Sequence, residues 1–164
     1  MSKCVNCIAF FDDDIKGTVS FHQCDKSSKV IVIFNLFGFK PNMTHAIHIH
    51  EFGDMSNGCM SLGKHFNLHN DEHGSLFIKN GKSHTGDLIN NLHTDNKGYF
   101  KYSYTDPRLN IIGDISKSII GRSVVIHEGI DDLGLGSNAE SKITGNAGGR
   151  MTCAVIGHAK NGKL

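Results

Sequence analysis

The sequence predicts an antiparallel all-β domain, and three observations carry that prediction. Glycine is abundant at 19 residues while proline is limited to two, a composition suited to tight turns. Short runs favouring extended structure recur along the chain, each closed by polar turn residues. No amphipathic helical pattern persists against them. The runs place strands over 4–11, 15–23, 29–37, 43–50, 87–93, 98–105, 122–128 and 151–159. Asp12-Asp13-Asp14 reads as the hairpin turn joining the first two. Asp95-Asn96-Lys97-Gly98 reads as a second turn, with Gly98 suited to positive φ. The tyrosines of 98–105 read as packing residues of a half-buried strand rather than a binding stripe.

The fourth strand carries the chemistry. Thr44-His45-Ala46-Ile47-His48-Ile49-His50-Glu51 holds three histidines. Alternate residues of a strand share a face, so His48 and His50 point one way and His45 the other. Two imidazoles on one face make half a metal site.

Two segments resist assignment as strands: 51–86, rich in Gly, Asn, His and acids, and the glycine-rich 129–150. Loops of that length are uncommon in compact domains and are usually functional or disordered. Ordering them costs roughly 1–2 kcal/mol of backbone entropy per residue, so ligands or cross-links must hold them. His65, His69, His73, His84 and Asp87 fall in or beside the first loop, and His127 ends the Val124-Val125-Ile126 run. With His48 and His50 they supply donors for more than one metal. Three imidazoles and a carboxylate suit tetrahedral zinc, and an all-imidazole set suits copper. His22, His93 and His158 read as ordinary packing or surface residues.

Bulk properties exclude several classes. At 164 residues the chain is expected to form one domain over 1–164. Seventeen basic and sixteen acidic side chains leave a formal charge of +1, which gives no reason to expect a nucleic acid or membrane partner. Met1-Ser2-Lys3-Cys4 lacks the apolar core of a secretion signal, so a cytoplasmic location is expected. Five cysteines, an odd number, argue against a disulfide scaffold, and Cys4-x-x-Cys7 reads as structural within the first strand.

Taken in order, His48-Ile49-His50-Glu51-Phe52-Gly53-Asp54, Gly58-Cys59, Gly63-Lys64-His65-Phe66-Asn67, His73-Gly74 and His84-Thr85-Gly86-Asp87-Leu88 form one pattern. Ile120-Gly121-Arg122-Ser123-Val124-Val125-Ile126-His127-Glu128, Asp131-Asp132-Leu133-Gly134 and Thr144-Gly145-Asn146-Ala147-Gly148-Gly149-Arg150 with Cys153 continue it. The pattern resembles the copper-zinc superoxide dismutase family from the first strand to the last. The resemblance implies an eight-stranded Greek-key β-barrel, an immunoglobulin-like sandwich with two long functional loops. It implies copper bound by His48, His50, His65 and His127, and zinc bound by His65, His73, His84 and Asp87, with His65 shared. Asp131 would fix one histidine of each set, Cys59 and Cys153 would form a disulfide, and Arg150 would attract and orient the superoxide anion. The implied reaction is dismutation to dioxygen and hydrogen peroxide by alternating reduction and reoxidation of copper, with His65 passing a proton. A homodimer is implied through Ile119-Ile120-Gly121 and 153–159, and a copper chaperone as a loading partner. The alternative, a non-catalytic copper-binding relative such as a chaperone-like domain or metal buffer, would be expected to lack copper ligands or Arg150, and here all are present.

Departures from the family pattern set further expectations. His73 and His84 stand further apart than usual, with Ser75-Leu76-Phe77-Ile78 between them, and Leu68 replaces a usual proline. His69 reads as a bystander. Ala139-Glu140-Ser141-Lys142-Ile143 has one acid fewer and a displaced lysine, which predicts slower, still salt-sensitive capture of the anion. His158 stands where the dimer face usually has an aliphatic residue.

Overall fold

The computed structural model describes residues 4–78 and 82–160; the Met1–Lys3 stretch read for a leader lies outside them. Nine strands are present among the described residues: β1 Val5–Asp12, β2 Lys16–Gln23, β3 Val30–Phe37, β4 Thr44–His50, β5 Ser56–Cys59, β6 Asn90–His93, β7 Tyr99–Asp106, β8 Ser123–His127 and β9 Arg150–His158. Eight of them form one antiparallel array in the order β6-β4-β8-β9-β1-β2-β3-β7. The crossings this order requires are those of the predicted Greek-key barrel.

The strands form where alternation and β-branching allow. In β3, Val30, Val32, Phe34 and Leu36 are buried while Ile31, Asn35 and Phe37 are exposed, so one face meets the core. Phe21, Ile47, Ile49, Ile126 and Ile156 close that core from the other strands. Burying each such side chain stabilises the fold by roughly 1.5–3 kcal/mol. The tyrosines of β7 do pack: Tyr99 stacks on Phe37, and Tyr104 on Phe34.

β4 and β8 differ from β3 in being buried on both faces. Ile47 pairs with Ile126 and Ile49 with Val124 on the core side, while His48 lies opposite Val125 on the outer side. The long loops cover that outer side. Both contain an element the sequence does not announce: β5 lies within 51–86, and a one-turn helix α1, Ser141–Thr144, within 129–150. Each element is too short for a periodic signal.

Two disulfides are formed. Cys59–Cys153 ties the first loop to β9. Cys4–Cys24 joins the start of β1 to the end of β2, and the two bridges together correct the expectation, drawn from the odd cysteine count, against a disulfide scaffold. Cys7 alone is a free, buried thiol among the described residues, and burial pushes its pKa up to about 11.

Candidate metal centre

Backbone pairing brings the first loop onto the outer face of β4. Lys64 O accepts from Glu51 N at 2.9 Å, and Ile49 O accepts from Phe66 N at 2.8 Å. Phe66 O in turn accepts from Gly86 N at 2.7 Å. This weave sets His65 beside His50. At the other edge, a β-bulge at Ile126/His127 makes Arg150 the register partner of His127. Bulges of this kind re-aim side chains near functional sites.

Four imidazoles, His48, His50, His65 and His127, converge with ligand atoms within 4.8 Å of one another. Three have their outward nitrogens tied to oxygen. His48 Nε2 donates to Asp131 Oδ2 at 2.7 Å, His50 Nδ1 to the Gly63 carbonyl at 3.0 Å, and His127 Nδ1 to the Gly148 carbonyl at 3.3 Å. Such bonds fix tautomer and ring direction, leaving lone pairs on the inward nitrogens. His48 Nδ1 and His65 Nε2 are buried with no partner, and His50 Nε2 faces His127 Nε2 at 3.4 Å. Buried lone pairs aimed at one another need a cation between them. The donor set is all imidazole, which suits copper.

A second set lies on the far side of His65. Asp87 Oδ1 sits 3.0 Å from His65 Nδ1, 3.0 Å from His73 Nδ1 and 3.2 Å from His84 Nδ1. His65 and His84 Nδ1 are 3.4 Å apart. A tetrahedron with metal–ligand bonds of 2.0–2.1 Å has edges of about 3.3–3.4 Å, so these four atoms suit zinc. His48 also falls within 4.8 Å of His65, His73 and Asp87, but its Nε2 is engaged by Asp131. His84 is therefore the chemically apt fourth donor.

Asp131 spans the two sets, with Oδ1 accepting from His73 Nε2 at 2.9 Å while Oδ2 accepts from His48. Gly145, at φ +67°, packs so closely on Asp131 Oδ1 and His73 Nε2 that any Cβ would overlap both. Burial, with the neighbouring His65, pushes the His48 pKa down to about 3, and the same two causes push His127 down to about 4. Burial also opposes charge on His73, but hydrogen bonds to Asp131 and Asp87 outweigh it and raise its pKa to about 9. Asp87 resists its own burial through bonds from three histidines and stays well below the usual carboxylate range.

A cavity of ≈ 340 Å³ opens over the first set, lined by His50, His65, His127, Lys64, Thr144 and Arg150 among others. The Arg150 guanidinium donates to the Cys59 and Gly63 carbonyls, so the Cys59–Cys153 bond helps fix it. Lys142, the displaced rim lysine, lines a different groove with Asp71 and Glu72. Lys64 supplies the cavity's second cation. His69 is exposed and belongs to neither set.

Sequence reasoning missed three supports. His45 is buried, with Nδ1 donating to the His127 carbonyl at 3.0 Å; its opposite-face position holds the strand that bears His127. Asn90 Nδ2 donates to Asp131 Oδ2 at 3.0 Å, and Asn91 brackets the Asp131 backbone. Arg108 donates to Ser83 Oγ, the His84 and Leu88 carbonyls and Asp106. It straps 83–88 to the end of β7. Its one sequence signal, the neighbouring Asp106, names no distant partner. Replacing Arg108 by alanine leaves the buried Asp106 carboxylate without its charge partner, bonded only to Tyr104 Oη and the amide of residue 108, at a cost of about 3 kcal/mol. Chemical denaturation of the metal-free chain should show that loss, with zinc released more readily from the loaded protein; unchanged stability would remove the strap from the account.

Comparisons with known proteins agree with this geometry. Residues 15–156 match the family model described as copper/zinc superoxide dismutase (SODC). A superoxide dismutase [Cu-Zn] of Paramecium bursaria Chlorella virus 1 is 46% identical over 160 residues, covering 98% of this chain and 82% of the relative. The Neurospora crassa superoxide dismutase [Cu-Zn] is 46% identical over 146 residues, covering 89% and 92%. The crystal structure of the clock protein EA4 superposes with a TM-score of 0.85 at 37% identity, covering 97% of this chain and 98% of that one.

Proposed function

The chain belongs to the copper/zinc superoxide dismutase family, a copper- and zinc-dependent enzyme acting on superoxide, and from that premise we propose the role of each residue. His48, His50, His65 and His127 hold copper; His65, His73, His84 and Asp87 hold zinc. The observation that carries this reading is His65, whose Nδ1 lies 3.0 Å from Asp87 while its buried Nε2, without a partner, belongs to the other set. Copper held by the first set would supply one-electron transfer in both directions, and zinc held by the second would supply a fixed positive charge beside the shared ring. His65 would then hold a proton at Nε2 in one half of the cycle and give it up in the other, where water supplies the second proton that hydrogen peroxide needs. Asp131 keeps the His48 and His73 rings in the required tautomer. Arg150, permanently charged and tied by two carbonyls, draws the anion to the cavity floor.

Metal analysis with a dismutation assay tests the assignment. One copper and one zinc per chain with fast turnover supports it; zinc alone and no turnover after copper loading overturns it.

Capture of the anion depends on Lys64 and Arg150. The bimolecular rate should fall as salt shortens the Debye length from about 30 Å at 0.01 M to about 8 Å at 0.15 M. Lys64→Glu changes the charge by two; at roughly 10 Å in water that is worth about 0.8 kcal/mol, about fourfold in rate at low salt. Stopped-flow rates against ionic strength check both, and a rate that rises with salt would sink the steering role.

We also propose a homodimer. Exposed Phe52, Met55 and Val155 form the apolar part of its face, and Gly121 and Gly157 leave open space there. His158 is exposed, free to stay at the rim. Sedimentation at micromolar protein should give twice the chain mass of 17.9 kDa; a single-chain mass rejects the dimer. No helix among the described residues is long and apolar enough to cross a membrane. A cytosolic location with loading by a copper chaperone completes this reading, and recovery of the protein inside sealed vesicles would oppose it.

A further inference from the structure

Outside both histidine sets, one other cluster of ligand atoms stands out among the described residues: Cys4, His22 and Cys24, whose donor atoms lie within 4.8 Å of one another. Antiparallel pairing of β1 with β2 sets Asn6 opposite His22, and continuing that register by two residues sets Cys4 opposite Cys24. Alternation then puts Cys4, Asn6, His22 and Cys24 on one face of the hairpin, while Cys7 and Phe21 point into the core. All four are partly exposed.

The His22 ring is oriented as a ligand would be. Its Nδ1 is engaged by the Asn6 side-chain carbonyl, and its Nε2 lies 3.1 Å from Cys24 Sγ. An outer oxygen that holds one ring nitrogen and frees the other towards a donor cluster is the arrangement that orients metal-bound histidines. Two sulfurs and one imidazole make a soft donor set with a fourth position open to solvent.

We propose that Cys4, His22 and Cys24 form a third metal site, closed while the Cys4–Cys24 disulfide stands and opened by thiol reductants, that takes one thiophilic d¹⁰ cation, Cu(I) or Zn(II). The redox step balances with two equivalents of a thiol, R–SH. The Cys4–Cys24 bond is reduced to two thiols, and the reductant leaves as R–S–S–R. The incoming cation then displaces one proton from each thiol and accepts the His22 Nε2 lone pair. Metal–sulfur bonds of about 2.3 Å call for sulfurs about 3.8 Å apart, which side-chain rotation on paired strands can supply. The site shares no residue with the catalytic sets, so its failure would leave the dismutase reading untouched.

The test uses protein already carrying copper and zinc. After anaerobic treatment with a water-soluble phosphine and counting of the freed thiols, Cu(I) or Zn(II) is added in separate arms, and native mass spectrometry counts metals per chain. A thiolate-to-copper charge-transfer band reports the sulfur bonds. Either cation should add a third metal to the reduced wild type and none to protein left oxidised. Cys4→Ser/Cys24→Ser should lose that third metal while Cys59 and Cys153 remain, and His22→Ala should bind it at least tenfold more weakly. A reduced wild type with free thiols that takes up neither cation would overturn the site. So would a third metal that survives in Cys4→Ser/Cys24→Ser.

Discussion

Replacing His127 by alanine should lower dismutation by about a thousandfold or more, about 4 kcal/mol in the barrier, while one zinc per chain stays bound. His127 belongs to the copper set alone. Its Nε2 faces His50 Nε2 at 3.4 Å, and its Nδ1 is spent on the Gly148 carbonyl. Among the described residues its ring bonds only to His50 and the Gly148 carbonyl, not to His73, His84 or Asp87. The backbone carbonyl that receives His45 Nδ1 survives the substitution, so β8 keeps its anchor. The variant is therefore a defect of one set rather than of the fold. His65→Ala gives the contrast, because it removes a donor from both sets and should release both metals. Metal content and turnover measured on the same samples separate the cases. Retention of a tenth or more of wild-type turnover by His127→Ala would reject its role at the copper.

What could be read from the sequence follows from which signals are local. The alternation of β3 and the Asp95–Gly98 turn are local, and the expected strands fall within a residue or so of expectation except β6, which starts at Asn90, while β5 inside the first loop has no expected counterpart. Residues 87–89 are drawn out of that strand by Asp87, whose carboxylate turns back to accept from the His84 and Gly74 backbone amides. Site geometry overrode strand pattern there. The histidines drew attention through their number and spacing, and the side to which each ring is turned became visible only with its outer oxygen. Those oxygens, on Gly63, Gly148 and Asp131, come from remote segments, and no motif links them to the rings they hold. The role of His45 is hidden for the same reason: its partner is a backbone carbonyl far along the chain. Cys4 and Cys24 carry no local signal of pairing either, since their meeting depends on the β1–β2 register.

Asp131→Asn should weaken both metal sites by about 10–100-fold, though Asp131 belongs to neither ligand set. Every donor around this carboxylate points inward. Oδ2 accepts from His48 Nε2 and Asn90 Nδ2, and Oδ1 from His73 Nε2 and the Leu133 amide at 2.7 Å. An amide puts a donor where one oxygen stood, so two donors must then face each other in a buried site. The ring that meets the new NH₂ can escape only by moving its proton to Nδ1. For His48 that nitrogen is the one aimed at the copper position; for His73 it is the one beside Asp87. Either escape protonates a ligand atom, and Gly145, packed against both groups, leaves no room to rotate away. The metal-free chain should respond as well. His73 owes its raised pKa to Asp131 and Asp87 against the opposing effect of burial, and that stabilisation is fully present below about pH 6.5 and lost as pH rises through about 9. The depressed pKa values of His48 and His127 work in the other direction, costing stability as pH falls from about 6.5 towards 4 and 3. Asp131→Asn removes part of the His73 contribution, so the gap in stability between wild type and variant should narrow as pH rises through about 9. Chelator competition for each metal and denaturation of metal-free protein across pH test the two halves separately. Wild-type affinity at both sites would dismiss Asp131 as the link between them.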